Sequence, residues 1–67
     1  MIKAKELLVS NGFVRIDQFD WKPVDKITYI KNNGNYAHIL FDDGHSIDVC
    51  IFEGGMLPLL RKLRGEE

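Results

Sequence analysis

The histidines and the cysteine of this chain, with three aspartates near them, are of types that do chemistry: His38, Asp42, Asp43, His45, Asp48 and Cys50. A histidine beside a carboxylate can transfer a proton. Histidine, cysteine and carboxylate together can hold a metal. The spacing argues against both uses. His38 and His45 fall on opposite faces of the hairpin derived below, so they do not converge on one ion. A cross-strand His38–Asp48 pair is more often a sheet contact contributing ~0.2–1 kcal/mol. Asp42 and Asp43 lack the further oxygen ligands at fixed spacing that a calcium loop needs, and aspartate suits a turn on backbone grounds alone. Cys50 has no basic neighbour in sequence to favour its thiolate. Gly54-Gly55 lacks the rest of a phosphate-binding loop. The expectation is a chain without catalytic residues, metal or cofactor, and not an enzyme.

These residues sit in "NNGNYAHILFDDGHSIDV", residues 32 to 49, where two glycine turns alternate with two apolar runs. Asn33-Gly34 carries the pattern of a type I′ hairpin, whose two central residues need positive φ. The second turn allows two registers. With Asp43-Gly44 as a two-residue turn, Leu40 faces Ile47, and each sheet face mixes apolar with polar side chains. With Asp42-Asp43 in a type I turn and Gly44 as a left-handed bulge, Phe41 pairs with His45, Ile39 with Ile47 and Ala37 with Val49. The opposite face then collects Tyr36, His38, Leu40, Ser46, Asp48 and Cys50. A one-residue slip exchanges every side chain between faces. The second register separates apolar from polar better and is preferred.

Around this hairpin pair, "KITYIK" at 26–31 reads as a strand from its β-branched and aromatic residues, and "FVRID" alternates as a strand. Residues 2–9 admit a short helix ended at Asn11-Gly12 or one arm of a hairpin turning there. Pro23 interrupts "QFDWKPVDK". After a loop at Glu53-Gly54-Gly55, Met56, Leu59, Leu60 and Leu63 recur at helical spacing. Pro58 suits the first turn of that helix, Arg61, Lys62 and Arg64 suit its C-terminal end, and Gly65 can cap it. The expected fold is a single small domain over residues 1–67. It is mainly β, an antiparallel meander of three to five strands with a short C-terminal helix and, on the helical one of the two N-terminal readings, a short N-terminal helix.

At 67 residues, with 45% hydrophobic and 28% charged residues, the chain is globular but its core is small. A domain of this size buries only about 60% of its unfolded surface. One cysteine excludes an internal disulfide, which leaves good packing or association, and a homodimer is expected. No export signal or membrane-length apolar run is visible, and with a free cysteine this points to the cytoplasm. The net charge of −1 counts against a dedicated nucleic-acid binder, which usually carries a basic excess.

Two surfaces remain. Lys31, Arg61, Lys62 and Arg64 are candidate phosphate contacts, with Asn32, Asn33 and Asn35 presented on a loop. Phe19, Trp21 and Phe41 are candidate aromatic anchors for a protein partner, since tryptophan is enriched at binding hot spots. The plainer role of Phe19 and Trp21 is to close one end of the core.

Ile27-Thr28-Tyr29-Ile30, then Gly34-Asn35-Tyr36, Ile39 and Asp43-Gly44, with Asp25 preceding them, resemble the core pattern of the LytTR domain. "MLPLLRKL" resembles the helix that follows in that family. The resemblance covers roughly residues 25–63 and is densest over 25–44. It implies a mainly β bacterial DNA-binding module of transcription regulators, read through loops. LytTR domains continue beyond that helix with strands that supply part of the DNA surface, so no contact residue carries over by position. Two functions are therefore expected. One is a LytTR-like double-stranded DNA-binding or transcription-regulating protein, acting as a dimer. The alternative is a small non-catalytic protein–protein interaction module or inhibitor that binds a regulator or host protein.

Overall fold

Residues 2–52 and 54–65 are described by the computed structural model. They form seven short strands in two sheets and one C-terminal helix: β1 (Ile2–Lys3), β2 (Val9–Ser10), β3 (Phe13–Arg15), β4 (Trp21–Pro23), β5 (Ile27–Asn32), β6 (Tyr36–Phe41), β7 (Ser46–Cys50) and α1 (Met56–Leu63). Single 3-10 turns at Ala4–Glu6 and Val24–Lys26 lead into β2 and β5 respectively. The mainly β character and the C-terminal helix agree with the sequence. The simple antiparallel meander does not. One sheet has the order β1-β7-β6-β5 and is mixed, because β1 runs parallel to β7; the other is the antiparallel set β2-β3-β4.

Of the two N-terminal alternatives, the chain adopts the hairpin. Asn11 and Gly12 have φ of 53° and 82° and join Ser10 to Phe13, which is the type I′ requirement for positive φ at both central positions. Asn11 takes that conformation because its short polar side chain tolerates the left-handed region.

The turn between β5 and β6 is displaced one residue from the sequence reading. Asn32 pairs with Ala37, and the Asn33 amide donates to the Tyr36 carbonyl at 2.8 Å. Gly34-Asn35 are therefore central, not Asn33-Gly34. Only Gly34 has positive φ there, the pattern of a type II′ turn. The Asn32 carboxamide accepts from the Gly34 amide at 2.9 Å and holds the first half of the turn.

The β6–β7 register is the preferred one. Ala37 pairs with Val49, His38 with Asp48 and Ile39 with Ile47. The Gly44 amide donates to the Phe41 carbonyl at 3.1 Å, the Phe41 amide to the His45 carbonyl at 2.8 Å, and Gly44 has φ of 93°. Segregation of apolar side chains selects this register: Ala37, Ile39, Phe41 and Val49 are all buried.

Both sheets send their inner faces to one core. Val14 from β3 joins the buried residues of β6 and β7, while Ala4, Leu7, Leu59 and Leu63 bring in the N-terminal turn and the helix. Lys62 ties those last two together, its ammonium donating to the Ala4 carbonyl at 2.9 Å. Gly65, at φ of 82°, ends the helix by donating to the Lys62 carbonyl at 3.0 Å. Of the predicted loop at 53–55, Gly54 and Gly55 are described and have positive φ; Glu53 lies outside the described residues.

Candidate functional site

Three-stranded pairing decides which side chains the smaller sheet shows to solvent. Val9 pairs with Val14, and Val14 with Lys22. Val14 is fully buried, so this row faces the core. Period-2 alternation then turns Leu8, Ser10, Phe13, Arg15, Trp21 and Pro23 outward. Phe13 lies opposite Pro23, and Arg15 opposite Trp21, with Leu8 beside Arg15 through the Arg15 amide, which donates to the Leu8 carbonyl at 2.9 Å. Leu8, Phe13 and Trp21 are 49%, 44% and 43% exposed. Three large apolar side chains thus share one outer face, framing a single guanidinium.

Phe19 is 84% exposed and sits on the loop that joins β3 to β4. That loop is held open by its own polar atoms. The Asp17 carboxylate accepts from the Phe19 and Asp20 amides at 2.9 and 3.0 Å, bonds that hold its carboxyl below the usual carboxylate range. Arg15 donates to the carbonyls of Asp17 and Gln18 at 3.0 and 2.9 Å. Backbone bonds from Ile16 and Asp17 to the Asp20 carbonyl close it. Phe19 is presented by a braced loop and does not fold back on the core, so the plainer role of closing the core fails for it.

Phe41 is corrected. Its ring is 1% exposed and is among the largest fully buried side chains, so it cannot serve as a surface anchor. The register explains why: Phe41 shares a face with Ala37 and Ile39 and points inward. The Lys22 ammonium lies 6.0 Å from its ring centroid and pairs with the Asp43 carboxylate in the β6–β7 turn. Asp43 also accepts from the His45 amide at 3.0 Å. The Lys22 ammonium, and after it the His45 amide, hold the Asp43 carboxyl far below its ordinary range. Lys22 thereby links the smaller sheet to the turn of the larger one.

The predicted phosphate contacts divide between two places. Lys31, Asn32, Asn33 and Asn35 are all exposed and stay together on β5 and its turn. Lys31 pairs with His38, on the face of the larger sheet that points away from the core. Arg61, Lys62 and Arg64 belong to the helix end that packs on the core side, and Lys62 is engaged by the Ala4 carbonyl. The seven residues do not make one patch.

His38 and Asp48 meet as expected, with His38 Nδ1 2.7 Å from the carboxylate. His45 is exposed at the turn, with its Nδ1 3.2 Å from Asp43. Among the described residues no three histidine, cysteine or acidic side chains gather in a way that could hold a metal ion, and no described helix is long and apolar enough to cross a membrane.

Sequence reasoning missed Phe13 and Leu8. The signal was present in "FVR": once Val14 is assigned inward, its neighbours on both sides must point out.

Compared with known proteins, the chain matches no protein-family model, no curated protein and no solved structure. The likeness to LytTR domains rests on the residues quoted for it.

Proposed function

We propose that this is a small non-catalytic protein–protein interaction module that binds its partner through the outer face of β2-β3-β4. The observation that carries this is the gathering of Leu8, Phe13 and Trp21 on one exposed face, with Phe19 held out on the adjoining loop. Contiguous exposed apolar surface on a small domain usually marks a binding site. Tryptophan, arginine and large apolar groups around a common centre have the make-up of an interface hot spot. Self-association through the same face would give the homodimer that a core this small invites.

A LytTR-like DNA-binding role is the second reading. What favours it is the exposed, asparagine-rich turn that keeps Lys31, Asn32, Asn33 and Asn35 together.

The test compares the wild type with Phe13→Thr/Trp21→Thr, which keeps strand propensity while removing the rings, and with Lys31→Ala/Arg61→Ala. Each is immobilised and its cross-linked partners are quantified; mixed duplex DNA is titrated in parallel at low and moderate salt. The interaction reading expects protein partners that the aromatic variant loses and the basic variant keeps. Capture indifferent to Phe13 and Trp21 overturns it. The DNA reading instead expects duplex affinity whose logarithm falls linearly with log salt.

A further inference from the structure

The larger sheet has an outer face as well, of different chemistry. Pairing of Tyr29 with Leu40, Lys31 with His38, Tyr36 with Cys50 and Cys50 with Lys3 fixes the layout. Inward-facing Ile39 and Val49 are fully buried, so these residues form the opposite surface. The helix and the N-terminal turn pack on the core side, which leaves that surface uncovered by either. Its rings are Tyr29, half-exposed on β5, and Tyr36, half-buried on β6; Phe52, largely exposed, follows β7. Its cations are Lys3 and Lys31, both exposed. Asp48 is the one carboxylate on this face among the described strand residues, and it is occupied by His38. The other aspartates lie in the turns and loops at 17–20, 25 and 42–43. A cleft of about 240 Å³ lined by Lys3, Ala4, Lys5, Cys50 and Phe52 continues the surface past the edge strand. That is below the ~300 Å³ at which sites for whole small ligands begin, a scale suited to one heterocycle.

We propose that this face is a binding platform for single-stranded nucleic acid, with bases stacked on Tyr29, Tyr36 and Phe52 and the backbone held by Lys3 and Lys31. Aromatic rings set among cations on an open sheet offer stacking surface and phosphate contacts together. Charge decides for a polyanion over an acidic or neutral protein surface, because the rings share a face with Lys3 and Lys31, and the one carboxylate on it among the described strand residues is already matched by His38. Shape decides against a duplex. Four strands span three inter-strand spacings, ~14 Å between the outer axes, which is wider than the ~12 Å major groove. Unpaired bases can lie flat on such a face.

The experiment is fluorescence anisotropy with end-labelled ten-nucleotide oligo-U and oligo-dT, and with a ten-base-pair duplex, at several salt concentrations. The expected result is saturable binding of the single strands, tighter than the duplex. With two phosphate contacts, the slope of log affinity against log salt is about −1.4. Tyr29→Ala and Tyr36→Ala each weaken binding about fivefold or more, and Lys31→Glu weakens it while leaving the circular dichroism spectrum unchanged. Phe13→Thr/Trp21→Thr, on the other sheet, leaves it intact, which separates this proposal from the protein-binding one. Absence of binding at low salt, equal or tighter binding of the duplex, or tyrosine variants that bind like the wild type would each overturn it.

Discussion

Replacing Phe41 tests the division of the aromatic residues into one that builds the core and others that face solvent. Phe41 is 1% exposed and packs with Ala37, Ile39 and Val49. Cutting a buried phenylalanine to alanine removes its transfer free energy and leaves a cavity, together ~3–5 kcal/mol. The contact between the ring and the Lys22 ammonium is lost as well. At ~0.05–0.15 kcal/mol per residue, a chain of this length has a total stability of ~3–10 kcal/mol. Phe41→Ala therefore leaves the protein marginal or unfolded at 25 °C. Phe41→Leu removes less of the buried side chain, leaves a smaller cavity and costs less than Phe41→Ala. Phe19→Ala alters a ring that is 84% exposed and stays within ~0.5 kcal/mol of the wild type. The assay is urea unfolding followed by far-ultraviolet circular dichroism, with emission from the single tryptophan, Trp21, as a second probe. With a slope near ~1 kcal/mol per molar urea, Phe41→Ala moves the midpoint down by ~3 M or abolishes the transition. A Phe41→Ala protein that unfolds within ~0.5 M of the wild type would refute the inward register of β6. A Phe19→Ala protein destabilised as much as Phe41→Ala would refute the placement of Phe19 on the surface.

Two further substitutions probe the polar ties between elements. Lys62→Met keeps the stem of the side chain but removes the ammonium that reaches the Ala4 carbonyl. A charge-assisted hydrogen bond of this kind contributes ~1.5–3 kcal/mol, so a lower urea midpoint is expected, with earlier hydrogen exchange in residues 4–7; an unchanged midpoint would count against the tie. Asp43→Asn tests acid sensitivity. The Asp43 carboxyl is held far below its ordinary range by Lys22, so its stabilisation is fully present above the unfolded-state value of ~3.9 and fades as pH falls toward the folded value. The gap between wild type and Asp43→Asn is expected to be widest near neutral pH, to narrow from about pH 4 to pH 2.5, and to shrink in high salt. A gap independent of pH would show that the carboxylate charge is not what matters.

How much of this could be read in advance depended on how many residues voted on each feature. The β6–β7 register was legible because several alternating positions all sort apolar from polar in one alignment only. The turn before it was misplaced by one residue. "NNGN" sets asparagine on both sides of the glycine, so either Asn33-Gly34 or Gly34-Asn35 can occupy the centre, and local chemistry does not choose. Phe41 was misassigned as a surface residue even though the preferred register already placed it with Ala37 and Ile39. The strands β1, β2 and β4 are two or three residues long, too short for a period to register, so the β2–β3 hairpin is legible only as one of two alternatives, and the pairing of β4 with β3 and the parallel pairing of β1 are not legible at all. The aromatic face is half legible for the same reason: Trp21 and Phe19 stand out by type and "FVR" turns Phe13 outward once Val14 is inward, but their sharing one face with Leu8 follows only when three strands lie side by side. The basic residues illustrate the opposite error, where similar charge suggested one patch and the fold put them on different sides of a sheet.

The parallel pairing of Ile2 with Val49 and Lys3 with Cys50 has a consequence for the order in which the molecule assembles. The hairpins β2–β3, β5–β6 and β6–β7 each close over a few residues, a process of microseconds. The N-terminal strand must instead find a partner more than two-thirds of the chain away, and such long closures lose more chain entropy before any contact rewards them. During synthesis, Ile2 has no strand to join until Val49 has left the ribosome. On this argument the two-residue strand joins after the hairpins have closed and opens before they do. When it opens, the edge of β7 is bared, which makes that edge the place where a partly folded copy of this chain would meet another.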